Sequence, residues 1–145
     1  MRESPPIRLT APIVGRLAVV AVVLNWPWEM AQMFAYVEMA SRPWASTLWR
    51  CLRASAGDAA LTILAVSFGV WLARRPPWAY VAAAATGSLT ALLVEWTALS
   101  MGAWSYNERM PIVPLLDAGL WPLLQLTILV PVAMWVATRG GRRQA

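Results

Sequence analysis

The sequence contains no histidine and no lysine, and Cys51 is its single cysteine. One thiol cannot form an internal disulfide, and a chain without histidine lacks the ligands of ordinary zinc and haem sites. Metal chemistry would have to use carboxylates alone, so we expect neither a metal site nor another cofactor. We interpret Cys51 as a small packing residue, and a nucleophilic role is the alternative.

Charged residues are also scarce: they make up 13% of the 145 residues, whereas 59% are hydrophobic. This balance differs from that of a soluble domain, so the bilayer is the solvent to consider. All twelve basic residues are arginines. They lie at the edges of apolar segments, where arginine determines membrane topology. The net charge of +5 therefore does not indicate nucleic-acid binding, and we expect no nucleic-acid partner.

Four apolar stretches are each long enough to cross a bilayer, which takes about 20 residues. They cover residues 14–37, 52–73, 78–100 and 112–138. Prolines inside the first and last stretches are tolerated where neighbouring helices satisfy the freed carbonyl groups, which favours a packed bundle. We predict a single domain, an all-α integral membrane four-helix bundle. Because no small-residue cleavage site follows the apolar run at 17–24, we expect a retained first helix and no signal peptide.

The arginine distribution predicts the orientation. Eight arginines fall on the side of the two termini and four on the other side, which favours cytoplasmic termini. We expect a multi-pass protein of a bacterial cytoplasmic (inner) membrane, with the lipid bilayer as its constant partner. Seven of the ten tryptophans fall toward the outer side. Aromatic belts normally occur at both interfaces, so this excess indicates a lined pocket in addition to a belt.

Each predicted span carries one carboxylate: Glu29, Asp58, Glu95 and Asp117. A charge near the middle of a membrane helix costs roughly 2.5 kcal/mol or more, so such residues usually face a protein interior and are functional. The threading puts all four on the order of 7–12 Å inside the outer ends of their helices. We therefore predict that they meet in a cavity that opens toward the outer leaflet. Desolvation and mutual repulsion favour at least one protonated acid, suited to general acid catalysis or to a proton relay.

Polar and aromatic side chains share helix faces with these acids. Asn25 and Gln32 lie on the face of Glu29, and Gln125 lies on the face of Asp117. The loop at 101–111 adds aromatic and basic side chains that we expect to close the cavity from outside. We predict catalytic roles for Glu29, Asp58 and Glu95. We predict substrate-binding roles for Asn25, Trp28, Gln32, Trp104, Tyr106, Arg109, Asp117 and Gln125.

Several of these residues have a purely structural alternative. Glu29 and its neighbouring amides also suit hydrogen bonding between helices, and Asp58 also suits an ion pair with a nearby arginine. Asp117 lies near enough to a loop to be solvated. Trp104 and Tyr106 also suit the lipid headgroup layer. The sequence leaves these alternatives open.

Three motifs follow one another in the second half of the chain: Glu95-Trp96, Gly102-x-Trp104-x-Tyr106 and Gly119-x-x-Pro122. Their order resembles that of membrane carotenoid enzymes, namely the small lycopene cyclase domains and the carotenoid hydratases. The resemblance implies acid-catalysed addition or cyclisation on an isoprenoid, with Glu95, Trp104 and Tyr106 in matching places. It departs after Pro122, where the cyclase domains have paired acids and this chain has Gln125. The block NWPWEMAQM at 25–33 resembles small bacterial membrane proteins that have no assigned function.

Three functions fit these patterns. The first is an enzyme or binding protein for a lipophilic, isoprenoid-like molecule. The second is an accessory or assembly subunit whose polar stripes contact another membrane protein, or a second copy of the chain. The third is a proton-coupled transporter of small solutes, for which four spans are few unless the protein dimerises.

Overall fold

The computed structural model describes residues 5–39 and 42–139. Four long helices dominate it: α1 at Ala11–Gln32, α2 at Trp44–Leu72, α3 at Trp78–Ser100 and α4 at Leu120–Arg139. Two 3-10 turns follow α1, at Met33–Ala35 and Val37–Met39. A small antiparallel hairpin of β1 (Ile112–Val113) and β2 (Ala118–Gly119) precedes α4. The prediction of an all-α four-helix bundle is confirmed.

All four helices are long and apolar enough to cross a membrane, with mean hydropathy of 1.3 to 1.8 over their most apolar windows. Large apolar side chains, such as Leu64, Trp71 and Leu89, point outward. The interior is built largely from alanines, among them Ala83 and Ala133, which are fully buried. A water-soluble bundle would bury its large side chains, whereas a lipid-facing one exposes them and packs small residues inside. The described helices therefore fit a multi-pass membrane protein.

The helices pack in a ring, with α1 and α3 each against both α2 and α4. Short connections make consecutive helices antiparallel. Close approach depends on glycine at two positions. A Cβ at Gly69 would lie 2.5 Å from the Ala83 nitrogen, and one at Gly87 would lie 2.7 Å from the Leu126 carbonyl oxygen. The small residues of the run at 82–87 thus bring α3 against both α2 and α4.

The predicted span at 78–100 coincides with helix α3, whereas the spans predicted at 14–37 and 52–73 differ from helices α1 and α2. The first α-helix ends at Gln32 and continues as 3-10 turns, so the predicted span at 14–37 runs past it. The second helix begins at Trp44, eight residues before the predicted start at 52. Pro43 fixes this start, and its carbonyl oxygen accepts the Ser46 hydroxyl at 2.8 Å. The polar first turns of α2 therefore belong to the helix and are not a loop.

The predicted last span, at 112–138, is wrong over its first eight residues. These residues form the β-hairpin, and Pro111 and Pro114 interrupt any helix there. Leu115 and Asp117 adopt positive φ angles of 75° and 48°, which a helix does not allow. Asp117 is exposed in this turn, so the prediction that it lies on one helical stripe with Gln125 is also wrong.

Candidate functional site

One end of the bundle contains an open cavity of about 590 Å³, at the end that carries the 101–119 connection. All four helices contribute to its wall. Three of the four predicted acids line it: Glu29 from α1, Asp58 from α2 and Glu95 from α3. Apolar side chains, among them Leu61 and Val94, form much of the remaining surface. Its size lies within the range typical of small-molecule pockets, roughly 300–1,000 Å³.

The acids meet because the helices are staggered, and not because they lie equally far from their helix ends. By the 1.5 Å rise per residue, Glu29 is about 5 Å from the end of α1 and Glu95 about 8 Å from the end of α3. Asp58 is about 21 Å from the start of α2, since that helix begins early. The expected common depth of roughly 7–12 Å is therefore right for Glu95 but wrong for Glu29, which is shallower, and for Asp58, which is deeper.

Two buried glutamines connect α1, α2 and α4. The Gln125 amide nitrogen donates to Asn25 Oδ1 and to Asp58 Oδ2, both at 2.9 Å. The Gln32 amide nitrogen donates to Glu29 Oε1 at 2.7 Å and to Gln125 Oε1 at 2.8 Å. Each amide therefore uses both of its N–H groups, which fixes its orientation. The network holds the acids in place at the floor of the cavity.

The carboxyl groups of Glu29 and Asp58 are neighbours at the floor of the cavity. A carboxylate only accepts hydrogen bonds, so two carboxyl groups bond to each other directly only when one of them carries a proton. Asp58 Oδ2 accepts the Gln125 amide N–H, and the expected alternative, an ion pair of Asp58 with Arg50 or Arg53, is not formed in the described part of the chain. Two buried acids side by side are suited to share one proton.

Glu95 belongs to a second cluster, formed with the 101–119 connection. The Tyr106 hydroxyl and the Trp104 indole N–H both donate to Glu95 Oε2, the latter at 3.4 Å. The Tyr106 oxygen in turn accepts the Gly119 N–H at 3.0 Å, which fixes the phenol. A Cβ at Gly119 would lie 2.8 Å from Met110 Sδ and 3.1 Å from that oxygen, so a larger residue would require these side chains to shift. Glu95 acts as an acceptor in both of its side-chain hydrogen bonds.

Two connections pair with each other to cover this cluster. Tyr36 and Tyr106 form an antiparallel bridge, extended by a Val37 N–H to Ser105 carbonyl bond of 3.1 Å. The Tyr36 ring lies 6.2 Å from Trp104 and 5.7 Å from Tyr106, in tilted and edge-on geometries typical of aromatic pairs. Burial, reinforced by the nearby Glu95 charge, raises the pKa of the Tyr36 phenol above its ordinary value, so the phenol stays neutral.

The remaining predicted site residues lie outside the cavity wall. Asn25 is fully buried beneath the floor, where it supports Gln125. Trp28 donates its indole N–H to the Trp121 carbonyl at 3.2 Å and so joins α1 to α4. Arg109 is exposed, with its guanidinium 6.0 Å from the Phe34 ring, and does not close the cavity as predicted.

Two arginines of the cavity wall, Arg50 and Arg53, were missed in the sequence-based site prediction. Both lie on the polar first turns of α2, which the predicted span excluded. With the helix extended to Trp44, positions 50, 53, 54, 57, 58 and 61 form one stripe at spacings of three and four residues. That stripe faces the cavity. The sequence signal that would have revealed it is the start of the helix directly after Pro43.

One acceptor at the floor has no donor. Gln32 is 5% exposed, and its Oε1 atom has no hydrogen-bond partner among the described residues. A buried amide oxygen without a partner costs about 1–3 kcal/mol. Because Gln32 lines the cavity, a hydrogen-bond donor entering the cavity can satisfy it. Within the described ranges, no group of three acidic or cysteine side chains is arranged to hold a metal ion.

The fold and the site define an all-α, membrane-embedded bundle with an acid-lined cavity at one end. Comparison with protein-family models, curated proteins and solved structures gives no match to this chain. The geometry of the cavity therefore carries the functional argument.

Proposed function

We propose that this protein takes a small lipophilic molecule into the cavity and acts on it by acid catalysis. The observation that carries the proposal is the arrangement of Glu29, Asp58 and Glu95, from three helices, on one cavity with largely apolar walls. Buried carboxyl groups are costly in a membrane protein and are retained where they function. Isoprenoids are the substrate class that the resemblance to carotenoid enzymes implies.

The hydrogen bonds support different roles for the acids. The Glu29–Asp58 pair holds a proton and is the donor, which adds that proton to a carbon–carbon double bond and leaves a carbocation. Glu95 accepts both of its hydrogen bonds, so it suits stabilisation of the adjacent positive charge and removal of a proton from the neighbouring carbon. Trp104 lines the same wall and stabilises a cation through its ring face. The proton returns from Glu95 to the pair through solvent in the open cavity.

The close packing of the opposite half of the bundle favours an enzyme over a transporter. Below the floor lies a close-packed apolar core that includes Val66, Val130 and Met134, all fully buried. Helix contacts at Gly69 and Gly87 leave no room even for a methyl group. A one-ended cavity supports binding and chemistry at one membrane face, whereas a carrier needs access from both sides.

The direction of the polar stripes bears on the accessory-subunit alternative. Asn25, Gln32 and Gln125 are buried and bond to each other and to the acids inside the bundle. A docking surface for another membrane protein would instead present such groups outward. The internal bonding favours a site within this chain.

The test compares Glu95→Gln and Asp58→Asn with Glu108→Gln, an exposed acid outside the cavity wall. Each variant is expressed in a host that makes linear polyenes and their isoprenoid precursors, and extracted lipids are analysed by mass spectrometry. We expect a cyclised or isomerised isoprenoid product from wild type and from Glu108→Gln. Loss of a general acid or a general base lowers such rates by roughly 10²–10⁴-fold, so Asp58→Asn, which removes the acid, and Glu95→Gln, which removes the base, should both lose the product. Full product formation by Glu95→Gln would refute the assigned role.

A further inference from the structure

The end of the bundle opposite the cavity carries a strong positive charge. The described arginines at this end are Arg8, Arg16, Arg74, Arg75 and Arg139. The six described acids, Glu29, Glu38, Asp58, Glu95, Glu108 and Asp117, all belong to the other half or its connections. This end of the described chain is therefore purely cationic, independently of the proposed acid chemistry.

The charge is concentrated at a preformed groove of about 490 Å³ between the segment before α1 and the end of α2. Arg8, Arg74 and Arg75 line the groove together with Ser67 and Trp71. The N-terminal segment is held in place, because the Ile7 N–H donates to the Arg74 carbonyl at 2.8 Å. Ile7 and Leu9 also pack against the apolar core. The groove is thus part of the folded bundle.

The groove joins a basic rim to an apolar surface. Trp71 is 67% exposed, and its ring lies in tilted contact with that of Phe68, with the ring centroids 5.3 Å apart; Phe68 is also exposed on the same helix. These rings lie on the lipid-facing side of α2, one turn before Arg74. A molecule that fits both parts has an anionic head for the guanidinium groups and a hydrocarbon chain for the rings. Arg74 also complements the negative end of α2, but Arg8 comes from another segment and is not explained by that helix.

We infer that this groove is a binding site for an anionic phospholipid, with its phosphate between Arg8 and Arg74 and an acyl chain along Trp71 and Phe68. Guanidinium groups recognise phosphate through paired, charge-assisted hydrogen bonds. The Ser67 hydroxyl offers a further polar contact within the same groove. The site is separate from the cavity and needs none of its acids.

The experiment is native mass spectrometry of the full chain in detergent, titrated with phosphatidylglycerol, with phosphatidylcholine of the same chain length, or with inorganic phosphate alone. The double variant Arg8→Gln/Arg74→Gln is compared with Arg42→Gln/Arg109→Gln, which removes the same charge at the other end. Each arginine near a membrane surface is worth about 1 kcal/mol toward anionic lipid. We expect wild type and the control to prefer phosphatidylglycerol by about tenfold or more, and the Arg8/Arg74 variant to lose that preference.

Equal retention of the two lipids by wild type would overturn the inference, and this comparison does not depend on any variant folding. An equal loss of preference in the two double variants would also overturn it, because the effect would then follow net charge and not the groove. Displacement of the lipid by inorganic phosphate at similar concentration would identify a free-phosphate site and overturn the lipid assignment. None of these results bears on the cavity variants, so this inference and the proposed function fail separately.

Discussion

Replacing Gln125 with methionine tests whether the buried amide network holds the helices together. The side chain is 2% exposed and makes three hydrogen bonds, to Asn25, Asp58 and Gln32. Methionine has nearly the same volume and removes all three. Side-chain hydrogen bonds inside membrane proteins average about 0.6 kcal/mol and reach about 1.7. We therefore expect the free energy of unfolding to fall by about 2–5 kcal/mol.

Leu124→Met is the matched control, because it places the same side chain one position earlier on α4 without removing a polar group. A volume-conserving apolar swap of this kind costs less than about 1.5 kcal/mol. Reversible unfolding in mixed micelles with increasing SDS, followed by far-UV circular dichroism, measures both variants. Combining Gln125→Met with Asn25→Leu should cost less than the sum of the two single changes, because they share one hydrogen bond. Equal stability of Gln125→Met and Leu124→Met would refute the structural role of the network.

Three further outcomes are expected from the same stability assay and from thiol labelling. Gly87→Ala should destabilise the bundle by about 1–3 kcal/mol, because the new methyl group would lie 2.7 Å from a backbone carbonyl oxygen of α4. The control is Gly15→Ala: position 15 has open space around it, so this variant should be neutral or stabilising. Burial opposes ionisation of Glu38, but hydrogen bonds from backbone N–H groups and from Ser105 outweigh it and lower the pKa of Glu38 below its ordinary 4.5. The resulting small stabilisation of the folded protein is present above pH 4.5 and is lost as the pH falls through the lower folded-state pKa of Glu38. Ser105→Ala should therefore make the free energy of unfolding less sensitive to acid, and an unchanged pH profile would contradict this. Cys51 is buried, so a maleimide should label it only after denaturation, and rapid labelling of the folded protein would contradict the packing of α1 on α2.

Much of the candidate site was predictable, because its acids stand out against apolar helices. Glu29, Asp58 and Glu95 were found by the cost of charge in hydrocarbon, and the structure brings all three to one cavity. Asp117 satisfied the same criterion and lies in an exposed turn. Hydropathy does not distinguish an apolar hairpin from an apolar helix, and the prolines around 111–114 were the signal against a helix. Because hydropathy is averaged along the chain, the polar first turns of α2 were not recognised as helix, and Arg50 and Arg53 were missed with them.

The sequence by itself determined the class of this protein: four apolar segments of membrane-spanning length, because backbone groups in lipid must bond within their own helix. It also determined the third span and the helix faces that carry polar side chains. Only the tertiary structure decided how the helices are staggered. Because of that stagger, Glu29 lies beside Asp58, although Glu29 is about 5 Å and Asp58 about 21 Å from the end of its own helix. It also decided that Tyr106 and Trp104 bond to Glu95. Stagger and loop pairing depend on contacts between residues far apart in the chain, and helical periodicity carries no information about them.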